Sequence, residues 1–127
     1  MTGRTPEHWT AAGAVLAGLA VAAGAFGAHL FRDLLTGPSL AAYETAARYQ
    51  MYHALALTLA GHRMSRRPTP LLQHACRLFL TGIVVFSGSL YFLAFTGAGE
   101  FGAIAPIGGV ALLAGWGCFA ASALSRS

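Results

Sequence analysis

LAAYETAARYQMYHALALTLAGH, residues 40–62, decides the fold, because everything turns on whether this stretch crosses a bilayer. Its charge-free part, Tyr49 to Gly61, is 13 residues, about 20 Å of helix at 1.5 Å per residue. That is too short for a hydrocarbon core of about 30 Å. Either the segment is re-entrant, or the helix begins near Leu40 and carries Glu44 and Arg48 into the outer membrane region. The second reading is preferred. Glu44 and Arg48 are four residues apart and share a helix face. Near an interface water is available and an arginine can snorkel.

The flanking stretches settle the class. Residues 9–31, 71–95 and 102–124 are equally poor in charge, and each is long enough to span as a helix. Of 127 residues, 56% are hydrophobic and 9% charged, against about a quarter charged in a soluble domain. The expectation is an all-α membrane protein: one domain, 1–127, folded as a four-transmembrane-helix bundle with spans near 9–31, 40–62, 71–95 and 102–124. The short connections leave no room for an extramembrane domain.

Orientation follows from the arginines. Arg4, Arg63, Arg66, Arg67 and Arg126 fall on one side of such a bundle, and Arg32 lies in a connection on the other. The positive-inside rule places both termini in the cytoplasm. The formal net charge of +4 therefore reads as topology and contacts with membrane lipids, not as a nucleic-acid surface. A cleaved signal peptide fits poorly, since the first apolar run is too long and Glu7 sits in its flank. Cys76 and Cys118 form no Cys-x-x-Cys motif and read as small buried residues.

Between the spans, Gly37-Pro38 is expected to break the chain, with Ser39 capping the second helix. Within them, glycines mark close packing. Ala14, Gly18 and Ala22, and Ala20, Gly24 and Ala28, recur every four residues. Gly24 and Gly27 are expected to bring the first helix against the second. Gly88 in the third span, and Gly108, Gly109, Gly115 and Gly117 in the fourth, suggest further contacts.

The candidate site is a seam of polar residues inside this bundle: His29, Glu44, Arg48, Tyr49, Gln50, His53, Ser87, Ser89 and Tyr91. Intramembrane ionisable residues are functional candidates by default. Interhelical hydrogen bonding is the plainer role, and one seam cannot hold them all: Arg48 and His53 point about 140° apart on a helix. No catalytic set emerges. Ser87 and Ser89 lack an activating base nearby in sequence, and no phosphate-binding glycine loop is present. No His-x-x-x-His, Glu-x-x-His or clustered cysteine pattern supplies a metal, and haem ligation by His29 and His53 has only two residues to rest on. No metal or cofactor is expected, and the chain does not read as an enzyme.

Several of these segments resemble a known family in order. Gly24-Ala25-Phe26-Gly27-Ala28-His29, Tyr49-Gln50 with His53, Phe86-Ser87-Gly88-Ser89-Leu90-Tyr91, Pro106-Ile107-Gly108-Gly109 and Gly115-Trp116 are similar to the domain-of-unknown-function 423 family, related to transmembrane protein 256-like proteins. The resemblance implies a small, multi-pass protein of the bacterial inner membrane, and it brings no reaction, substrate or catalytic residue. It also implies an acidic residue where Arg48 stands, so a Glu44–Arg48 pair is not required by it. The expected role is a non-enzymatic structural or partner-binding membrane component, as a homo-oligomer or with another membrane protein. The alternative is an oligomeric transporter or channel for an ion or small polar solute.

Overall fold

The computed structural model describes residues 7–125. Arg4, Arg126 and the outermost ends of the 1–127 domain lie outside the described residues. Four helical rods follow one another: α1 (Glu7–Leu30), α2 (Gly37–Arg66), a third rod made of α3 (Pro70–Gly82), a π turn (Ile83–Ser87) and α4 (Gly88–Thr96), and α5 (Glu100–Leu124). Among the described residues there is no strand. Glu7–Gly27, Pro70–Thr96 and Glu100–Leu124 are long and apolar enough to cross a membrane. α2, at 30 residues the longest helix, is not among these apolar spans, because it carries Glu44, Arg48, Arg63 and Arg66.

The ends of α2 correct the expected boundaries. Gly37-Pro38 does not separate the helices but opens α2, with Thr36 as the extended N-cap and no side-chain cap bond. Proline suits a first turn, where no partner waits for its missing N–H and its φ is already helical. Ser39 is therefore inside the helix. At the other end the arginine-rich segment is the last turn of α2, not a loop, and the Arg67 N–H closes it on the Arg63 carbonyl at 2.8 Å. Cations are favoured at a helix C-terminus. α3 starts three residues later, where the Thr69 hydroxyl accepts the Leu72 N–H at 3.1 Å.

The third rod is not one uniform helix. The Gly88 N–H reaches back to Ile83 as well as Val84, a wider turn than an α-helix makes. In a regular helix two successive four-residue steps drift by about 80°. The wide turn absorbs that drift, so Ile83, Ser87 and Tyr91 all look toward α2. Gly97, at φ 72°, then ends α4 by donating to the Leu93 carbonyl at 2.8 Å, a left-handed cap that glycine adopts freely.

Packing is pairwise. α1 lies along α2, the third rod lies along α5, and α2 also touches the third rod along its length. The third rod and α5 interlock. Phe79 sits on Gly115, Leu112 on Gly82 and Phe86 on Gly108. Stepping 79, 82, 86 up one helix meets 115, 112, 108 down the other, an antiparallel register of steps of three and four. At Gly108 a Cβ would come 2.7 Å from the Phe86 Cα. α1 and α2 close in the same manner at Gly13, against Thr58 and Ala54, and at Gly61, against Trp9 and Thr10. Below the polar residues lies an apolar core that includes Trp9, Leu57, Cys76, Phe79, Ile83 and Leu112.

Not every expected glycine contact forms. Gly27 is covered by the Tyr43 ring, but a Cβ on Gly18, Gly24 or Gly88 would meet nothing within 4 Å, and on Gly109 it would only touch Phe86 at 3.8 Å. Gly18 points about 140° round α1 from Gly13 and so away from α2. Gly24 borders a shallow depression beside Ala47, Glu44 and Arg48, where α2 offers no side chain to fill the gap.

Candidate functional site

The face that α2 buries repeats at Tyr43, Ala46, Ala47, Gln50, His53, Ala54, Leu57 and Gly61, a spacing of three and four that keeps one side against the bundle. Its small members let neighbouring backbones approach, and its polar members reach those backbones. Gln50 is the hub. Its amide Nε2 donates to the Leu16 carbonyl at 2.8 Å, while its Oε1 accepts from the Tyr91 hydroxyl at 2.7 Å. One side chain thereby ties α1, α2 and α4. Ser87 donates to the Ala46 carbonyl at 2.8 Å, joining the π turn to α2. Tyr43 donates to the Ala23 carbonyl at 2.7 Å, and Gly27, one turn further along α1, leaves space for its ring. Phe31, Tyr91 and Phe95 pack edge-on around that ring at 5.4, 5.5 and 5.8 Å.

His53 forms a second centre. Nδ1 lies 2.8 Å from the Tyr49 carbonyl, and the Trp116 Nε1–H donates to Nε2 at 3.0 Å. An indole N–H can only donate and a carbonyl can only accept. The ring is therefore neutral, with its proton on Nδ1, and both nitrogens are engaged. That leaves neither free as a ligand or a base without breaking a bond. Phe79 lies tilted beside it at 6.0 Å and Trp116 edge-on at 5.8 Å.

The nine seam residues thus divide. Gln50, Ser87 and Tyr91 are brought together across helices, with His53 one turn below on α2. Ser89 turns back on its own helix, to the Phe86 carbonyl at 3.0 Å. Tyr49, partly exposed, contributes its carbonyl to His53, stacks its ring on the imidazole at 6.0 Å and meets Tyr52 and Phe86 at a tilt. His29, Glu44 and Arg48 do not join. All three are exposed; Glu44 and Arg48 belong to the opposite stripe of α2, continued by Tyr52, Leu55 and Leu59. Among the described residues every buried side-chain nitrogen and oxygen has a partner, and no three His, Cys, Asp or Glu gather as they would around a metal.

A groove of about 570 Å³ runs between α2 and α5, with His53 at its floor and Tyr52, Phe86, Val110, Leu113 and Trp116 among its walls. Tyr52, Val110 and Leu113 are more than half exposed, so the groove opens sideways. Its walls suit hydrocarbon, not water.

Three helices long and apolar enough to cross a membrane fit a multi-pass membrane protein. The chain belongs to the family described as Protein of unknown function (DUF423), which matches residues 23–109. It is similar to a UPF0382 membrane protein of Staphylococcus epidermidis, 47% identical over 104 residues, covering 82% of this chain and 84% of the relative. The UPF0382 membrane protein YwdK of Bacillus subtilis is 41% identical, with 82% and 85% covered. The UPF0382 inner membrane protein YgdD of Escherichia coli is 36% identical, with 76% and 73% covered. No solved structure matches the chain.

Sequence reasoning missed Trp116 and Tyr43 as bonding partners, and Gly13, Gly61 and Gly82 as contacts. A signal existed for the first two. A tryptophan or tyrosine inside a span must find a partner for its polar tip, and Tyr43 lies seven residues from Gln50 on the same face of α2.

Proposed function

We propose that the protein is a four-pass component of the bacterial inner membrane, with both termini cytoplasmic, acting as a non-enzymatic structural or partner-binding element. The observation that carries this reading is the fate of the intramembrane polar groups: they are consumed in bonds between helices. α2 supplies the fourth crossing. Its 30 residues measure about 45 Å, enough to leave Glu44 and Arg48 within snorkelling reach of one interface and Arg63 to Arg66 at the other. The transport reading needs a wet path to His53, whereas the groove that reaches it is apolar and lateral.

Topology is tested by labelling single cysteines in intact cells, in a background where Cys76 and Cys118 are replaced by serine. Substitutions at Ser39 or Ala98 should react from outside and Ser65 should not; labelling at Ser65 sinks the orientation. The role is tested by purification in mild detergent and cross-linking in native membranes. A retained homo-oligomer or membrane partner is expected. A strictly monomeric protein without cross-links, together with proteoliposome flux abolished by His53→Ala, would favour transport.

A further inference from the structure

One stripe of α2 is left uncovered by the other rods. Glu44, Arg48, Tyr52, Leu55 and Leu59 follow one another at steps of three and four and are all exposed, so they share one face. Its first turns are charged and the rest is apolar. Glu44 and Arg48 border a depression of about 480 Å³ between α1 and α2, lined also by the small residues Ala20, Gly24 and Ala47. Among the described residues neither charged side chain makes an ion pair or a hydrogen bond. Where α2 crosses a bilayer, the two lie about 10 and 16 Å along a helix of about 45 Å. Ionisable side chains in a span almost always pair with one another or face a protected interior. Within one chain these two do neither.

We propose that this face is the contact between two copies of the chain, α2 beside α2, with Glu44 of each copy paired to Arg48 of the other. The face carries its own complement. Two copies inserted the same way are related by a two-fold axis along the membrane normal, so their α2 helices run side by side in one direction and every contact occurs twice. Residues 44 and 48 then differ in depth by about 6 Å, which the long stem of an arginine bridges. The same axis sets the apolar turns, Leu55 and Leu59, against themselves. Another membrane protein would have to supply both charges and the apolar turns beyond them in one register, whereas a second copy has them already. The family resemblance implies an acidic residue at position 48, so this pairing belongs to this chain and not to the family at large. Such a dimer rests on α2 crossing the membrane and on the partner-binding reading, and it names the partner.

The test expresses the full-length protein with two different affinity tags and reads pairing by co-purification in mild detergent. Wild-type copies should co-purify. Glu44→Arg and Arg48→Glu each set like charges against one another twice, and each should weaken self-association at least about tenfold. Co-expressing the two variants gives every reversed side chain an opposite charge across the axis, and pairing should return to within about threefold of wild type. If the reversals fail to fold, single cysteines in a background without Cys76 and Cys118 decide the point in native membranes. Leu55→Cys should cross-link into dimers on oxidation, and Val84→Cys, exposed on the third rod, should not. Cross-linking of Val84→Cys instead, or of neither, would overturn this contact. A dimer indifferent to both reversals, or one that mixing does not rescue, would overturn the face and leave the partner-binding reading standing. A wild type that is monomeric in detergent and forms no cross-link in membranes to itself or to any partner would overturn both.

Discussion

The two helix pairs solve one problem differently. The third rod and α5 fit by shape, with Phe79, Phe86 and Leu112 set into glycines. α1 and α2 use glycines too, at Gly13, Gly27 and Gly61, and add hydrogen bonds from Tyr43 and Gln50 to the α1 backbone. Lipid tails are as apolar as leucine, so burying carbon alone does not draw helices together; close fit and interhelical bonds must do so. The apolar third rod and α5 can rely on fit. α2 is more polar than the other rods, and its bonds to α1 and α4 pair the polar groups that it buries.

The comparison breaks first at Gly108. Gly108→Leu drives a side chain into the Phe86 backbone, which cannot swing aside, and should cost about 3 kcal/mol or more in thermal unfolding in detergent. A wild-type midpoint would mean that the interlocked register does not hold the rods together. Gly27→Leu should cost about 1–3 kcal/mol and sit below the first. Its obstacle is the Tyr43 ring, which can move by giving up the Ala23 bond. Adding Tyr43→Phe should then cost little more, and full additivity would contradict this route. Gln50→Leu removes two bonds, each worth about 0.6 kcal/mol on average between membrane helices, for a loss of about 1 kcal/mol. Tyr91→Phe in that background should recover part of it, since the stranded hydroxyl is gone; a further loss would show that Tyr91 acts otherwise. Gly24→Ala, which meets open space, should stay within about 0.5 kcal/mol of wild type. A large loss there would place α1 differently against its neighbours.

Apolar length made the helices readable, and the membrane class with them. Boundaries were less so. Gly37-Pro38 reads as a break because both residues are poor inside helices, but the first turn is where proline is harmless. The π turn left no mark in composition. It follows from the need to keep Ile83, Ser87 and Tyr91 facing α2 at once, a demand that exists only after the rods have packed. Gln50 and His53 could be picked out as polar residues needing partners. His29, Glu44 and Arg48 carry the same local signature and face outward, because rotation about a helix axis is fixed by neighbours that sequence alone does not position.

Three of the cross-helix bonds end on main-chain carbonyls, at Leu16, Ala23 and Ala46. Any amino acid supplies a carbonyl. A substitution at those acceptor positions therefore leaves the bond in place and calls for no answering change on the donor helix. Across evolutionary time such contacts leave no correlated record, however much they hold together. The pairs Gln50 with Tyr91 and His53 with Trp116 are of another kind. There each side chain constrains the other, and a historical trace of this fold should be written in those two pairs.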